Sequence, residues 1–261
     1  MDKFYLAFLK SVLGVKKSTP NCFVYGELGV FPLIIHRKLQ VVKYWLKLLR
    51  FDEYVPLYPR LIYRALLELS VTKPQKTTWV TLVRDLLDRC GLGYAFINQY
   101  VPCESMFVAM LKERLQDIYL QEWWAEIENS SSNRLYKHIK MSFGFEPYLI
   151  ACSKLYRTNI SKVRLSSHVF GVERGRWGKT RLQYEERKCT LCNEIDDEYH
   201  CLLECPLYEK CRTDCLPITL SVRNKRSMHE FVKFVSSQNI DECLRLGTLC
   251  TRVMREYKML M

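Results

Sequence analysis

Cys189, Cys192, His200 and Cys205 are spaced Cys-x2-Cys-x7-His-x4-Cys. Two cysteines separated by two residues can grip one ion from a single tight turn. A histidine and a cysteine after a short loop can close a tetrahedron around it. Three thiolates and one imidazole form a closed set for Zn2+ with no position left for an activated water, so the ion expected here holds shape rather than reacts. Neighbouring cysteines leave alternatives open. Cys201 adjoins His200 and can compete with it. Cys211 and Cys215 lie four apart on a predicted helix, a metal-capable spacing, although packing as small hydrophobes is the favoured reading. The acidic run Glu194, Asp196, Asp197 and Glu198 is expected to face water, and Arg187 and Lys188 to stabilise the adjacent thiolates.

The segment leading into these ligands is the most basic of the chain. From Lys154 to Lys188 there are ten Lys or Arg against three Glu. Arg164, His168, Arg174, Arg176, Trp177, Lys179 and Arg181 make up a candidate nucleic-acid surface. Arginines pair with phosphates bidentately, and a tryptophan between them can stack on an unpaired base. Gly175 and Gly178 bracket Arg176 and Trp177 and let the backbone approach a phosphate. The opposing reading has Trp177 plugging a junction and the arginines paired with Glu173, Glu185 and Glu186. The whole chain carries 40 Lys and Arg against 28 Asp and Glu, a net charge of +12, which favours polyanionic partners.

The elements that must position these residues read as helices. In ELGVFPLIIHRKLQVVKYWLKLLRF the stripe Ile35, Leu39, Val42, Leu46 and Leu49 steps by four and three, with Pro32 near the start. The stretch after Thr77 and Thr78 carries Trp79, Leu82, Val83, Leu86 and Leu87 and ends at Gly91. A long helix begins near Cys103, with Phe107, Met110, Leu111, Leu115 and Ile118 as its apolar positions, and stops at the polar NSSSN loop. Of the adjacent Trp123 and Trp124, one is expected to be buried and one partly exposed. The predicted fold is mainly α: a helical body over residues 1–150, a basic segment and zinc-stabilised module over 151–216, and a helical tail over 217–261.

Twelve cysteines could indicate a secreted disulfide protein. Their late, asymmetric clustering around a histidine instead favours metal-bound thiolates in a reducing compartment. The first residues lack the apolar run and cleavage site of a signal peptide, and no stretch of about 18 apolar residues offers a membrane span. The expected location is intracellular, nuclear or cytoplasmic.

The stretch RLSSHVFGVERGRWGK, followed by EERKCTLCNEIDDEYHCLLECPLY, resembles the C-terminal cysteine–histidine segment of non-LTR (LINE-type) retrotransposon reverse transcriptases. The shared features are the Arg-x-Ser-Ser-His stretch, the Glu-x-Gly-Arg-Trp turn, the ligand spacing and the acidic run into the histidine. Upstream, LGVKKSTPNCFVYGELGVFPL and SFGFEPYL are similar to the region after that family's polymerase core. The chain departs from the pattern at Cys201, where an aromatic is usual. No Tyr- or Phe-x-Asp-Asp box and no endonuclease constellation occur in the sequence, so the chain is expected to be a non-catalytic piece. The resemblance implies engagement of RNA or DNA, with a reverse transcriptase core in trans as a further partner. The alternatives are a zinc-stabilised protein-interaction module, or a remnant with no independent role.

Overall fold

The computed structural model describes residues 2–50, 57–73, 75–130, 135–177, 181–213, 215–217, 220 and 226–260. Among the described residues every regular element is helical. The only β pairing there is two isolated antiparallel bridges, Leu28 to Phe145 and Lys188 to Ile195. The mainly α expectation holds.

The chain forms two compact units. One is the continuous stretch Phe31–Trp123. The other joins Lys3–Val30 to Trp124–Met261. This division differs from the linear segments 1–150, 151–216 and 217–261 for a physical reason. The N-terminal helices carry buried groups whose partners lie beyond residue 130: the Tyr136 hydroxyl donates to the Phe23 carbonyl, and the Tyr148 hydroxyl to Glu27. The C-terminal helix Ile240–Met259 packs along Lys154–Arg164 and is part of the same core.

In the Phe31–Trp123 unit, Leu33–Leu49 buries Ile35, Leu39, Val42 and Leu46 as its period predicts, together with Trp45 and Leu48. Leu49 is only half-buried. Trp45 keeps its indole N–H satisfied by donating to the Tyr63 hydroxyl at 2.9 Å, which allows full burial. The helix Trp79–Arg89 is capped by Thr78, whose side chain and backbone exchange hydrogen bonds with Thr81. Its buried face is Val80, Thr81, Val83 and Leu87. Leu82, read as part of the stripe, is exposed, because the stripe that packs inward runs through Val80, Val83 and Leu87 at steps of three and four. The long helix Glu104–Glu128 buries Phe107, Leu111 and Leu115 and, near its end, Trp123, with Trp124 half-buried.

The second unit is organised around a buried charge cluster. Glu27, Arg164, Glu146 and Lys140 are all nearly inaccessible. Arg164 Nε donates to Glu27 Oε1 at 2.5 Å and its Nη2 lies 3.0 Å from Glu146 Oε2. Its Nη1 donates to the Val235 carbonyl at 2.7 Å. Lys140 pairs with Glu146. Two cations and two carboxylates thus neutralise one another, and the hydroxyls of Tyr148 and Ser161 occupy remaining lone pairs. Burial works against the guanidinium's charge, but Glu27 and Glu146 outweigh it and hold its pKa above the ordinary arginine value.

Replacing Arg164 by Met should therefore destabilise this unit by about 3–5 kcal/mol, because two buried carboxylates lose their counter-charge. Chemical denaturation, followed by the shift in midpoint, checks this. A loss below about 1 kcal/mol, the range of an exposed pair, would mean that the cluster is solvated in solution.

Candidate metal centre

The bridge between Lys188 and Ile195 turns the chain back on itself, with Asn193 in the left-handed conformation at φ 58°. The Cys189 amide donates to the Glu194 carbonyl at 2.7 Å, and the Asn193 amide to the Cys189 carbonyl at 3.0 Å. This tight knuckle brings the thiols of Cys189 and Cys192 together. The other two residues of the set come from one wide helical turn, His200–Glu204, closed by an i to i+5 bond from the Cys205 amide to the His200 carbonyl at 2.8 Å. Such widened turns recur at functional sites. The end of this turn is held by arginines. Arg212 donates to the carbonyls of Leu202 (3.0 Å) and Cys205 (2.7 Å), and Arg226 to that of Leu203. Both supply donors that the terminal carbonyls of a helical turn lack.

One ligand atom from each of Cys189, Cys192, His200 and Cys205 lies within 4.8 Å of the others. The Cys189 and Cys192 sulfurs sit 3.9 Å and 3.7 Å from that of Cys205. A tetrahedral ion about 2.3 Å from each sulfur sets sulfurs about 3.8 Å apart, so the spacing fits. His200 Nε2 is buried and has no hydrogen-bond partner. An orphaned imidazole nitrogen beside three converging thiols is explained by an ion between them. Without one, burial and then the neighbouring Cys189 push the Cys205 thiol up to about 12. Burial also raises Cys192 and lowers His200. Binding of a cation there is coupled to release of the thiol protons.

Among the described residues the competing cysteines fall outside this group. Cys201 is fully buried, and its thiol donates to Asp196 Oδ1 at 3.0 Å. Cys211 and Cys215 are buried outside the four-residue set, and Cys243 and Cys250 face the core of the C-terminal helix.

Of the acidic run, Glu194 faces water as expected, whereas Asp196, Asp197 and Glu198 turn inward. Asp196 is 4% exposed. It accepts from the Cys201 thiol, from the Tyr257 hydroxyl and from the Gly171 amide at 2.7 Å. Asp197, pushed up to about 6 by burial, caps the His200 amide at 2.8 Å. Glu198 accepts from the Ser166 hydroxyl at 3.1 Å and pairs with His168 Nε2 at 2.7 Å. Only tertiary packing reveals these roles, since each partner is more than 20 residues away or hidden behind the ligand pattern.

The residues read as a nucleic-acid surface divide into three groups. Arg164 and His168 are buried, 1% and 0% exposed, and leave that surface: the first belongs to the charge cluster, the second to the Glu198 pair. Arg176 and Arg181 line a cavity of about 660 Å³, and Arg176 pairs with Glu173 at 3.0 Å. Arg174 and Trp177 line a separate cleft, with Arg174 set 5.9 Å over the Tyr257 ring. Trp177 is 63% exposed and plugs no junction. Lys179, with Gly178, lies outside the described residues. Arg187, expected to help stabilise the adjacent thiolates, uses its guanidinium as a strut between backbone carbonyls. It donates to the carbonyls of Val172 (2.9 Å) and Leu182 (2.8 Å).

Among the described residues no helix is long and apolar enough to cross a membrane. No protein-family model, curated protein or solved structure matches the chain.

Cys192→Ser should reduce the metal content of purified protein from one ion per chain to a small fraction, whereas Cys201→Ser should leave it unchanged. Elemental analysis after gel filtration tests both. Retention by the first variant, or loss by the second, would reject this ligand set.

Proposed function

We propose that this chain is a zinc-containing, non-catalytic nucleic-acid-binding module whose metal loop braces a basic turn. The observation that carries the reading is the double attachment of that turn to the loop between the ligands. The amides of Gly171 and Val172 donate to Asp196 at its start, at 2.7 Å and 3.1 Å. The Asp196 amide donates to the Arg187 carbonyl at its end, at 2.9 Å. A Cβ at residue 171 would fall 2.6 Å from Asp196 Oδ2, so glycine is what permits the first attachment. The intervening residues carry Arg174, Arg176, Trp177 and Arg181, a density of charge suited to phosphates.

Zinc is the ion proposed, because three thiolates and one imidazole in a tetrahedral arrangement suit it. Bound there, it would neutralise the thiolates and fix the loop. Binding rather than catalysis is proposed because the four protein ligands fill its coordination. The likeness of the segment from Arg164 to Tyr208 to non-LTR reverse transcriptases supports the same assignment, with RNA or DNA as the polyanion and a reverse transcriptase core as a partner in trans.

A protein-interaction role is the second reading. It is favoured by Tyr58, Leu61 and Ile62, which lie together on one face of the helix Leu57–Thr72 and are all exposed.

The test is the affinity of the zinc-loaded chain for RNA and DNA across a salt series, with a chelated control. Affinity should fall steeply with salt and drop at least about tenfold on chelation. Changing Arg174, Arg176 and Arg181 together to Ala should lower the salt slope by about two to three, roughly one for each phosphate no longer neutralised. A flat salt response that ignores zinc would overturn this reading and favour the protein partner.

A further inference from the structure

Trp177 is the most prominent exposed aromatic of the basic turn, and it does not stand alone. It borders a cleft of about 350 Å³ shared with Arg174, Val169, Lys16 and Ser18. Lys16 and Ser18 are about 150 residues away in sequence, in the loop after the first helix, Asp2–Leu13. That loop is latched in place. The Lys16 amide donates to Ser167 Oγ at 2.7 Å, its ammonium to the His168 carbonyl at 2.8 Å, and Lys10 Nζ donates to the Lys17 carbonyl at 2.7 Å. His168 is held in turn by Glu198 in the metal loop. Two cations, a hydroxyl and an indole thus surround a space near the lower end of small-ligand pockets, which run from about 300 to 1,000 Å³.

We propose that this cleft is a one-nucleotide site for a single strand: an unpaired base stacks on Trp177 and its phosphate is held by Lys16 and Arg174. The proposal rests on the nucleic-acid reading above and narrows it. The cation pair recognises a phosphodiester. The indole recognises a base face, which a duplex hides in its stack and a single strand presents. A peptide carboxylate would satisfy the cations but leave the indole without a planar partner. Single-stranded RNA and single-stranded DNA share this chemistry and form separate arms of the test.

The experiment measures binding of the zinc-loaded full chain to a short single-stranded RNA, its DNA counterpart and the matching duplexes. Four other tryptophans are present, so the Trp177 signal is the difference between wild type and Trp177→Phe. Single strands should quench this difference signal and duplexes should not. Trp177→Ala should weaken single-strand binding about tenfold or more, and duplex binding less than about twofold. Lys16→Ala should lower the single-strand salt slope by about one. Trp177 is exposed, and Lys16→Ala keeps the backbone latch to Ser167 Oγ, so an unchanged circular dichroism spectrum and metal content are expected to accompany these losses. If nucleic acid binds but the Trp177 signal stays silent, or single strand and duplex weaken equally, the one-nucleotide site is overturned while the nucleic-acid reading stands. If neither strand form binds to wild type, both fall.

Discussion

Four charges that water cannot reach hold the larger unit together. Glu27 comes from the second helix, Asn21–Leu28, Lys140 and Glu146 from the segment after Tyr136, and Arg164 from the end of Lys154–Arg164. Arg164 also reaches the Val235 carbonyl, so the cluster gathers four stretches of chain around one guanidinium. An apolar core tolerates many arrangements of similar volume, whereas buried charges are acceptable only where every partner is present. The cluster therefore selects one arrangement. Gly29 belongs to the same constraint. Its backbone is left-handed, and a Cβ there would fall 2.4 Å from the Phe145 amide nitrogen, so the helix end that carries Glu27 and the Glu146 segment could not meet. The Glu146 amide donating to the Glu27 carbonyl at 3.2 Å records that approach.

A second buried carboxylate governs the metal loop as Arg164 governs the core. Asp196 lies between the ligand pairs, and its side chain and backbone reach Cys201, Tyr257, Gly171 and Val172, while its amide reaches Arg187. Loop, basic turn and C-terminal helix share this one residue. The consequence is that the four ligands and the arginine-bearing turn cannot move independently. An ion that orders the ligand loop also orders the turn, because their connection is a set of short hydrogen bonds in a place from which water is excluded.

Much of this is legible in the sequence. The candidate ligand set is legible in the spacing, but its competitor Cys201 drops out only through its bond to Asp196, which the spacing does not show. The helices follow from period and punctuation: Gly14 and Gly91 both end helices in left-handed geometry, and Thr78 caps one. What is not legible depends on partners distant in sequence. Arg164 and His168 sit in a basic run whose charge points outward, yet Glu27 and Glu198 draw them inward. Asp196 and Glu198 belong to an acidic run whose composition signals solvent, and only the folded neighbours Gly171, Ser166 and Tyr257 reveal their burial. Lys16 carries no local signal at all. A lysine in a polar loop becomes part of a cleft only because Ser167 and His168 receive it.

The placement of Lys16 closes a mechanical chain. Glu198, two residues before the ligand His200, holds His168 from one side. The His168 carbonyl holds the Lys16 ammonium from the other. Trp177 lies within the turn whose start and end Asp196 fixes. The two walls of the Trp177 cleft are thus tied to the metal loop by separate routes, one through Glu198 and one through Asp196. Loosening the ligands would release both walls together, although none of the cleft's residues belongs to the ligand group. On the proposed reading, a metal site whose four ligands leave no reactive position would still control binding several residues away, by deciding whether cations and indole face each other across a fixed gap.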